Sequence, residues 1–199
     1  MKKLFTLCLV FVSLVSFSQV SDALDKTQEG QKSDGHKKGD LFVMAGVGLG
    51  SAYSNKVVLP PILINVEYGF HDMLSVGAMA GFGTGRSSKS QTLTGDYHWN
   101  YSYLSLAGRA SFHWGRYLKI PEELDLYGRV ALGWRITTAT WKDNNSGLTS
   151  EPAKPSANFG LIAGIHAGAK YMLTPALGAY LEVGQDNVSN IQFGIAFKL

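Results

Sequence analysis

From residue 41 onward, apolar and polar or small residues take turns along the chain. In the last ten residues Ile191, Phe193, Ile195, Phe197 and Leu199 alternate with Asn190, Gln192, Gly194, Ala196 and Lys198, the period of a β-strand with one greasy face. The same logic predicts strands over Leu41 to Ser51, Ile62 to Phe70, Met73 to Gly83, Trp99 to Trp114, Asp125 to Trp141, Asn158 to Tyr171 and Leu177 to Gly184, for a total of about eight. A terminal strand left unpaired offers a row of free backbone groups to any passing sheet. Closure of the eight into an antiparallel up-and-down barrel removes that edge.

The connections alternate as well. Those after the second, fourth and sixth strands are short or moderate, and carry His71-Asp72, Pro121-Glu122 and Thr174-Pro175. Those after the first, third and fifth are long and polar, expected over Ala52 to Pro61, Thr84 to His98 and Lys142 to Ala157, with a short fourth at Gln185 to Ser189. Short inner turns, long outer loops and an even strand number are the layout of bacterial outer-membrane barrels.

Alternation alone does not tell a membrane barrel, apolar outside, from a lipocalin-like soluble carrier, apolar inside. Three features favour the membrane. The polar face is rich in glycine, which gains nothing by facing solvent but leaves room inside a narrow barrel. That face also carries Glu67, Arg109, Arg129, Arg135, Lys170 and Glu182, charges of both signs able to pair in a lumen, while the opposite face carries essentially none. Aromatic residues gather towards strand ends, with Phe70, Phe112, Trp114, Tyr171 and Phe197 expected at the inner rim and Trp99, Trp134, Trp141 and Phe159 at the outer, as in interfacial belts.

The ending also resembles the C-terminal signal by which outer-membrane barrels are recognised for assembly. Gln192, Gly194, Phe197 and Leu199 occupy its polar, glycine and two hydrophobic positions, with Leu where an aromatic residue is more usual. Beyond Asp40 nearly the whole chain is similar to the small eight-stranded outer-membrane proteins of the OmpX and OmpA transmembrane-domain type. That resemblance implies handling by the barrel-assembly machinery, an outer-membrane location among lipid and lipopolysaccharide, and a monomer. It transfers fold and no specific activity.

Composition narrows the picture further. Lys2 and Lys3, the apolar run Leu4 to Val15 and the small residues Ser16 and Ser18 read as a secretory signal peptide over residues 1–18. The apolar run falls short of the roughly 20 residues that a membrane helix needs. Residues 19–40 are polar and charged with little to bury, and read as a flexible periplasmic tail. Residues 41–199 form one domain, the barrel. The single cysteine, Cys8, lies in the leader, so the mature chain has no disulfide, thiolate ligand or cysteine nucleophile. Loss of Lys2 and Lys3 takes the formal charge from +3 to +1, which leaves no bulk basicity for nucleic acid.

Candidate chemistry is sparse. The lumen charges suggest either a gate in a narrow pore or, more simply, a static ion-pair network that satisfies buried charge. A lipid A-modifying acyl hydrolase or transferase needs a nucleophile beside an oriented base. The nearest approaches are His98 with Asp96 in the second loop and His113 sharing a face with Ser111, while His166 faces the lumen. His113 and His166 read as hydrogen-bonding lumen residues, and His36 and His71 as solvated. The Gly46, Gly48, Gly50 and Gly81, Gly83, Gly85 runs follow a strand face and open no helix, so they are not phosphate loops. Arg86 and Lys89 in the second loop suit lipopolysaccharide phosphates or plain solvation. No metal set, cofactor or enzyme activity is expected, and the loops are the working parts of a structural or surface-interaction protein.

Overall fold

The computed structural model describes residues 35–50, 56–91, 95–114, 118, 120–144 and 159–199. The expected leader, most of the expected tail and the middles of the three long loops lie outside them. Eight long strands form one antiparallel sheet: β1 (Leu41–Leu49), β2 (Lys56–His71), β3 (Leu74–Arg86), β4 (Asp96–His113), β5 (Leu124–Asn144), β6 (Phe159–Met172), β7 (Leu177–Gln185) and β8 (Ile191–Lys198). Each pairs with its sequence neighbour, and β8 returns to pair with β1 from Phe42↔Lys198 to Leu49↔Ile191, so the barrel is closed. Among the described residues there is no helix.

The seam between β1 and β8 shows why small residues sit where they do. Gly46 faces Gly194 in register, and a Cβ on Gly46 would come within 2.3 Å of both the Phe193 carbonyl and the Tyr180 hydroxyl. Gly168 plays a similar part under the Tyr127 ring, 2.4 Å from where its Cβ would stand.

Side-chain parity turns the apolar set outward. Leu132 (65% exposed), Leu161, Ile165, Val130, Phe193 and Ile64 cover the outer wall, whereas Glu67, Arg109, Arg129, Lys170 and Glu182 are buried within. A soluble carrier with an apolar cavity would need the reverse. The chain is an eight-stranded transmembrane β-barrel. We call inner the end at which β1 begins and β8 finishes. Nine residues of β1, at about 3.4 Å each and tilted about 40°, climb about 23 Å, close to the apolar band of about 25 Å in such barrels. The 18 residues of β4 and 21 of β5 go on well past it at the outer end.

These extensions revise the expected loops. β2 begins at Lys56 rather than beyond Pro61, because the outward extension of β3 pairs with it from Lys56↔Arg86, and register shifts between Val57, Leu59 and Ile62 absorb the two prolines. β1 pairs with β2 only as far as Val47↔Ile62; Pro61, buried beside Gly48, and Pro60 lack the N–H with which that ladder would continue. His98 belongs to β4, not to a loop, and Ser90–Gln91 adds a two-residue ladder on Tyr97 and Asp96.

Two expected belt residues are misplaced. Trp99 shares parity with Tyr103 and Arg109, and Trp141 with Tyr127 and Arg129. Both therefore lie on the lumen side of the outer extension, paired across β4 and β5, with Trp99 buried. Trp134 and Phe159 do face outward, with ring centroids 6.4 Å apart.

A charge on the outer wall should be costly near mid-band. Leu132→Arg is expected to destabilise the barrel by about 2–4 kcal/mol in denaturant titrations of protein refolded into lipid vesicles, whereas Ser75 and Asn65 face the lumen and would report nothing of that lipid penalty.

Candidate functional site: the filled lumen and its inner mouth

The lumen is packed in layers. Towards the outer end Leu63, Met79, Tyr103, Ala107, Ile162 and Val188 form one apolar cluster, flanked by Tyr101. Val188 comes from the connection between β7 and β8, which folds into the barrel instead of standing clear of it. Asp186 Oδ1 accepts hydrogen bonds from the backbone N–H groups of Val188 (2.8 Å) and Ser189 (2.9 Å), and Asn187 takes a positive φ of 62° to make the bend. Towards the inner end Phe42, Met44, Met172, Tyr180 and Ala196 form a second apolar cluster.

Charge lies between them. Glu182 accepts from Arg109 Nη2 (2.9 Å), from the Tyr127 hydroxyl (3.0 Å) and from Arg129 Nη1, and Arg129 also pairs with Glu67. Arg109 continues to Asn65 Oδ1 (2.8 Å) and Gln192 Oε1 (3.2 Å), and Gln192 Nε2 donates to Asp186 Oδ2 at 3.1 Å. Four of the six charges expected in one network, Glu67, Arg109, Arg129 and Glu182, thus share it. Lys170 stands apart, 3.2 Å from Asp125 and over the Phe42 ring. Arg135 lies higher, donating to the Asn187 carbonyl at 2.7 Å beside the Tyr103 ring.

The expected assembly-signal residues fall on both faces. Gln192 is a lumen residue bonded to Arg109 and Asp186; Gly194 lies on the seam; Phe197 is half-buried; and Leu199 is exposed, its N–H on the Leu41 carbonyl at 2.8 Å.

At the inner mouth four strands, β2 to β5, and the segment before β1 meet. His113 Nδ1 donates to Asp125 at 2.9 Å, while Nε2 lies 2.9 Å from Ser75 Oγ and 3.3 Å from Glu67 Oε1. The segment 35–40 caps this group. Gly35 N–H bonds to the Glu122 carbonyl (2.7 Å), Gly39 N–H to the Gly69 carbonyl (2.7 Å), and Asp40 pairs with Lys198 at 2.8 Å. His36, expected to be solvated, lies flat on His113 with ring centroids 3.6 Å apart. These six residues are therefore docked where a flexible tail was expected. Their hydrogen bonds go to turns far away in sequence, which composition cannot register. His71 is exposed, as expected. A cavity of about 230 Å³, lined by His36, Asp72, His113, Pro121 and Asp125 among others, opens beside the stack.

No family model matches the chain, and no curated protein matches it significantly. Among solved structures it is similar to the N-terminal β-barrel domain of Pseudomonas aeruginosa OprF, at 14% identity and a TM-score of 0.47 over 81% of this chain and 98% of that one. It is similar to a de novo designed transmembrane β-barrel at 18% identity and 0.44, over 85% and 100%. It is similar also to the Yersinia pestis outer membrane protein Ail at 15% identity and 0.43, over 81% and 100%.

The histidine pairings differ from those the sequence suggested. Ser111 is taken up by Arg129 Nε (2.7 Å), and the serine beside His113 is Ser75, on β3. Ser75, His113 and Asp125 stand in the order of a nucleophile, base and orienting carboxylate. Yet Ser75 Oγ donates to Glu67 Oε1 at 2.7 Å and is buried, so its proton and lone pairs serve the network. Asp96 pairs with Lys89 at 2.5 Å, and His98 is buried opposite Lys142. Arg86 donates to Asn100 at 3.2 Å. His166 lies 3.7 Å from Asp186. The sequence reading missed Asp125, Asp186, Ser75 and Tyr127; parity from Arg129 was the available signal for Asp125 and Tyr127.

Removal of the shared acceptor should be felt throughout the lumen. Glu182→Ala leaves Arg109 and Arg129 under-paired and is expected to cost about 3–5 kcal/mol in urea unfolding, against about 1 kcal/mol for Arg135→Ala. Equal losses would contradict the layering.

Burial, then the nearby His113 and Lys170, lowers the His36 pKa from 6.5 to about 4, against the opposing pull of Asp125. The undocked segment binds more protons between these values, so the His36 contribution to docking is fully present above pH 6.5 and declines as pH falls towards 4. The Gly35 and Gly39 amides should then exchange faster at pH 5 than at pH 7.5 after correction for intrinsic rates, with the difference abolished in His36→Ala.

Proposed function

We propose that the chain is a monomeric outer-membrane protein whose barrel is a closed anchor, with a structural or surface-interaction role carried by its outer end. The observation that carries this reading is the filled lumen. The apolar layer around Leu63, Tyr103, Ile162 and Val188, the Arg109, Arg129 and Glu182 network and the docked segment at the inner mouth follow one another along the axis. An eight-stranded ring is only wide enough for its own side chains, and these side chains occupy it. The extended β2 to β5 wall, by contrast, has no counterpart at the inner end, and its length is beyond what the lipid band requires. The leader-like first 18 residues and the alternating last strand with Gln192, Gly194, Phe197 and Leu199 support the outer membrane as the location, with the inner end in the periplasm and lipopolysaccharide around the outer wall.

The same filling speaks against a narrow pore. Purified protein in planar bilayers is expected to give no discrete conductance steps, with Arg109→Ala and Arg135→Ala equally silent. Reproducible steps that change in either variant would overturn the closed-anchor reading.

A further inference from the structure

The inner mouth gathers a second chemistry that the anchor role does not use. His36, Glu67 and His113 each turn one ligand-type atom into a common space, all within 4.8 Å of one another. They come from three separate parts of the chain: the segment before β1, β2 and β4. Each is prepared in a way that ion pairing alone does not need.

Asp125 holds the Nδ1 proton of His113 at 2.9 Å, so Nε2 is the nitrogen that faces Glu67. A carboxylate behind a histidine is the usual outer support of a metal-bound imidazole, fixing its tautomer and raising its basicity. His36 is prepared from the other side. Its Nε2 lies 3.2 Å from the His71 carbonyl; a carbonyl only accepts, so Nε2 carries the hydrogen and Nδ1 of the neutral ring is a lone pair. That Nδ1 is buried and receives no hydrogen bond. Glu67 gives one oxygen to Arg129 and keeps Oε1 towards Ser75 and His113. The cavity of about 230 Å³ beside His36 and His113 supplies entry and room for a coordinated water.

We infer that His36, His113 and Glu67 form a binding site for one divalent transition cation of the zinc type at the inner mouth of the barrel. Two imidazoles and a carboxylate with an open fourth position are a recurrent zinc donor set. The charges close by, Arg129 and Lys170, disfavour a purely ionic guest, so calcium and magnesium, which seek several oxygens, are rejected in favour of metals that bond to nitrogen. Donors around a tetrahedral zinc lie about 3.4 Å apart at bonds of about 2.1 Å. His113 Nε2 and Glu67 Oε1 are already 3.3 Å apart. His36 must leave its parallel stack on His113 and tilt its ring inward, and His113 Nε2 must release to solvent the proton it shares with Ser75 Oγ, since the one Ser75 proton is given to Glu67. Because His36 belongs to the segment before β1, the metal would clamp that segment across the mouth.

The test uses the full chain without an affinity tag, folded in detergent, stripped with chelator and titrated with zinc chloride by calorimetry. Cobalt(II) serves as the spectroscopic substitute. One equivalent of zinc is expected to bind, cobalt to show the intense visible bands of a tetrahedral centre, and the Gly35 and Gly39 amides to gain protection. His36→Ala should weaken zinc at least tenfold and abolish the cobalt bands, while His71→Ala, at the exposed neighbour, leaves both intact. His36 lies outside the barrel wall, so a band that runs faster on a denaturing gel before boiling than after, as expected of a closed barrel, will show that this variant still folds. Absence of zinc heat above the buffer blank, or binding that His36→Ala leaves unchanged, would overturn the site, as would calcium binding as tightly as zinc.

Discussion

Every backbone N–H and C=O that crosses hydrocarbon must find its partner within the protein, and the β1–β8 seam is where this chain meets that demand. With the seam made, no edge is left in the band, and the ring is eight strands round. Its lumen is then too narrow for water to solvate the charged face. From this follow the glycines at Gly46 and Gly194, where the two backbones close up, and the sharing of one carboxylate, Glu182, by Arg109, Arg129 and Tyr127.

The two ends of the barrel manage the same interior differently. At the outer end an aspartate turn folds Val188 inward to complete an apolar layer. At the inner end the closing element comes from ahead of the first strand, with His36 laid on His113 and Asp40 tied to Lys198. The lumen network and the histidine cluster meet at Glu67, which pairs with Arg129 through one oxygen and approaches Ser75 and His113 through the other. A change in what His113 binds therefore reaches the central ion pairs through a single carboxylate.

The wall was readable because its signal is local. Alternation at Ile191, Phe193 and Ile195 gives strand and face together, and the glycine and charge on the other face say which side meets lipid. Where the reading slipped, a local habit was followed against parity. Trp99 and Trp141 were assigned to an interfacial belt because tryptophan favours one, although counting by twos from Arg109 and Arg129 puts both on the lumen side. The loop expected over Ala52 to Pro61 is strand from Lys56, because register shifts let β2 carry the two prolines.

The sequence by itself determined the strand number, the face that side chains within the strands take and which strand-borne charges must share the interior, since these depend on a period of two and on the cost of unpaired charge. Only the tertiary structure decided who meets whom. Arg109 finds Asn65, Glu182 and Gln192, which are 44, 73 and 83 residues away, and His36 finds His113. Such meetings are set by strand stagger and by the height of each residue along the barrel axis, quantities that emerge when the ring closes and that no local pattern carries.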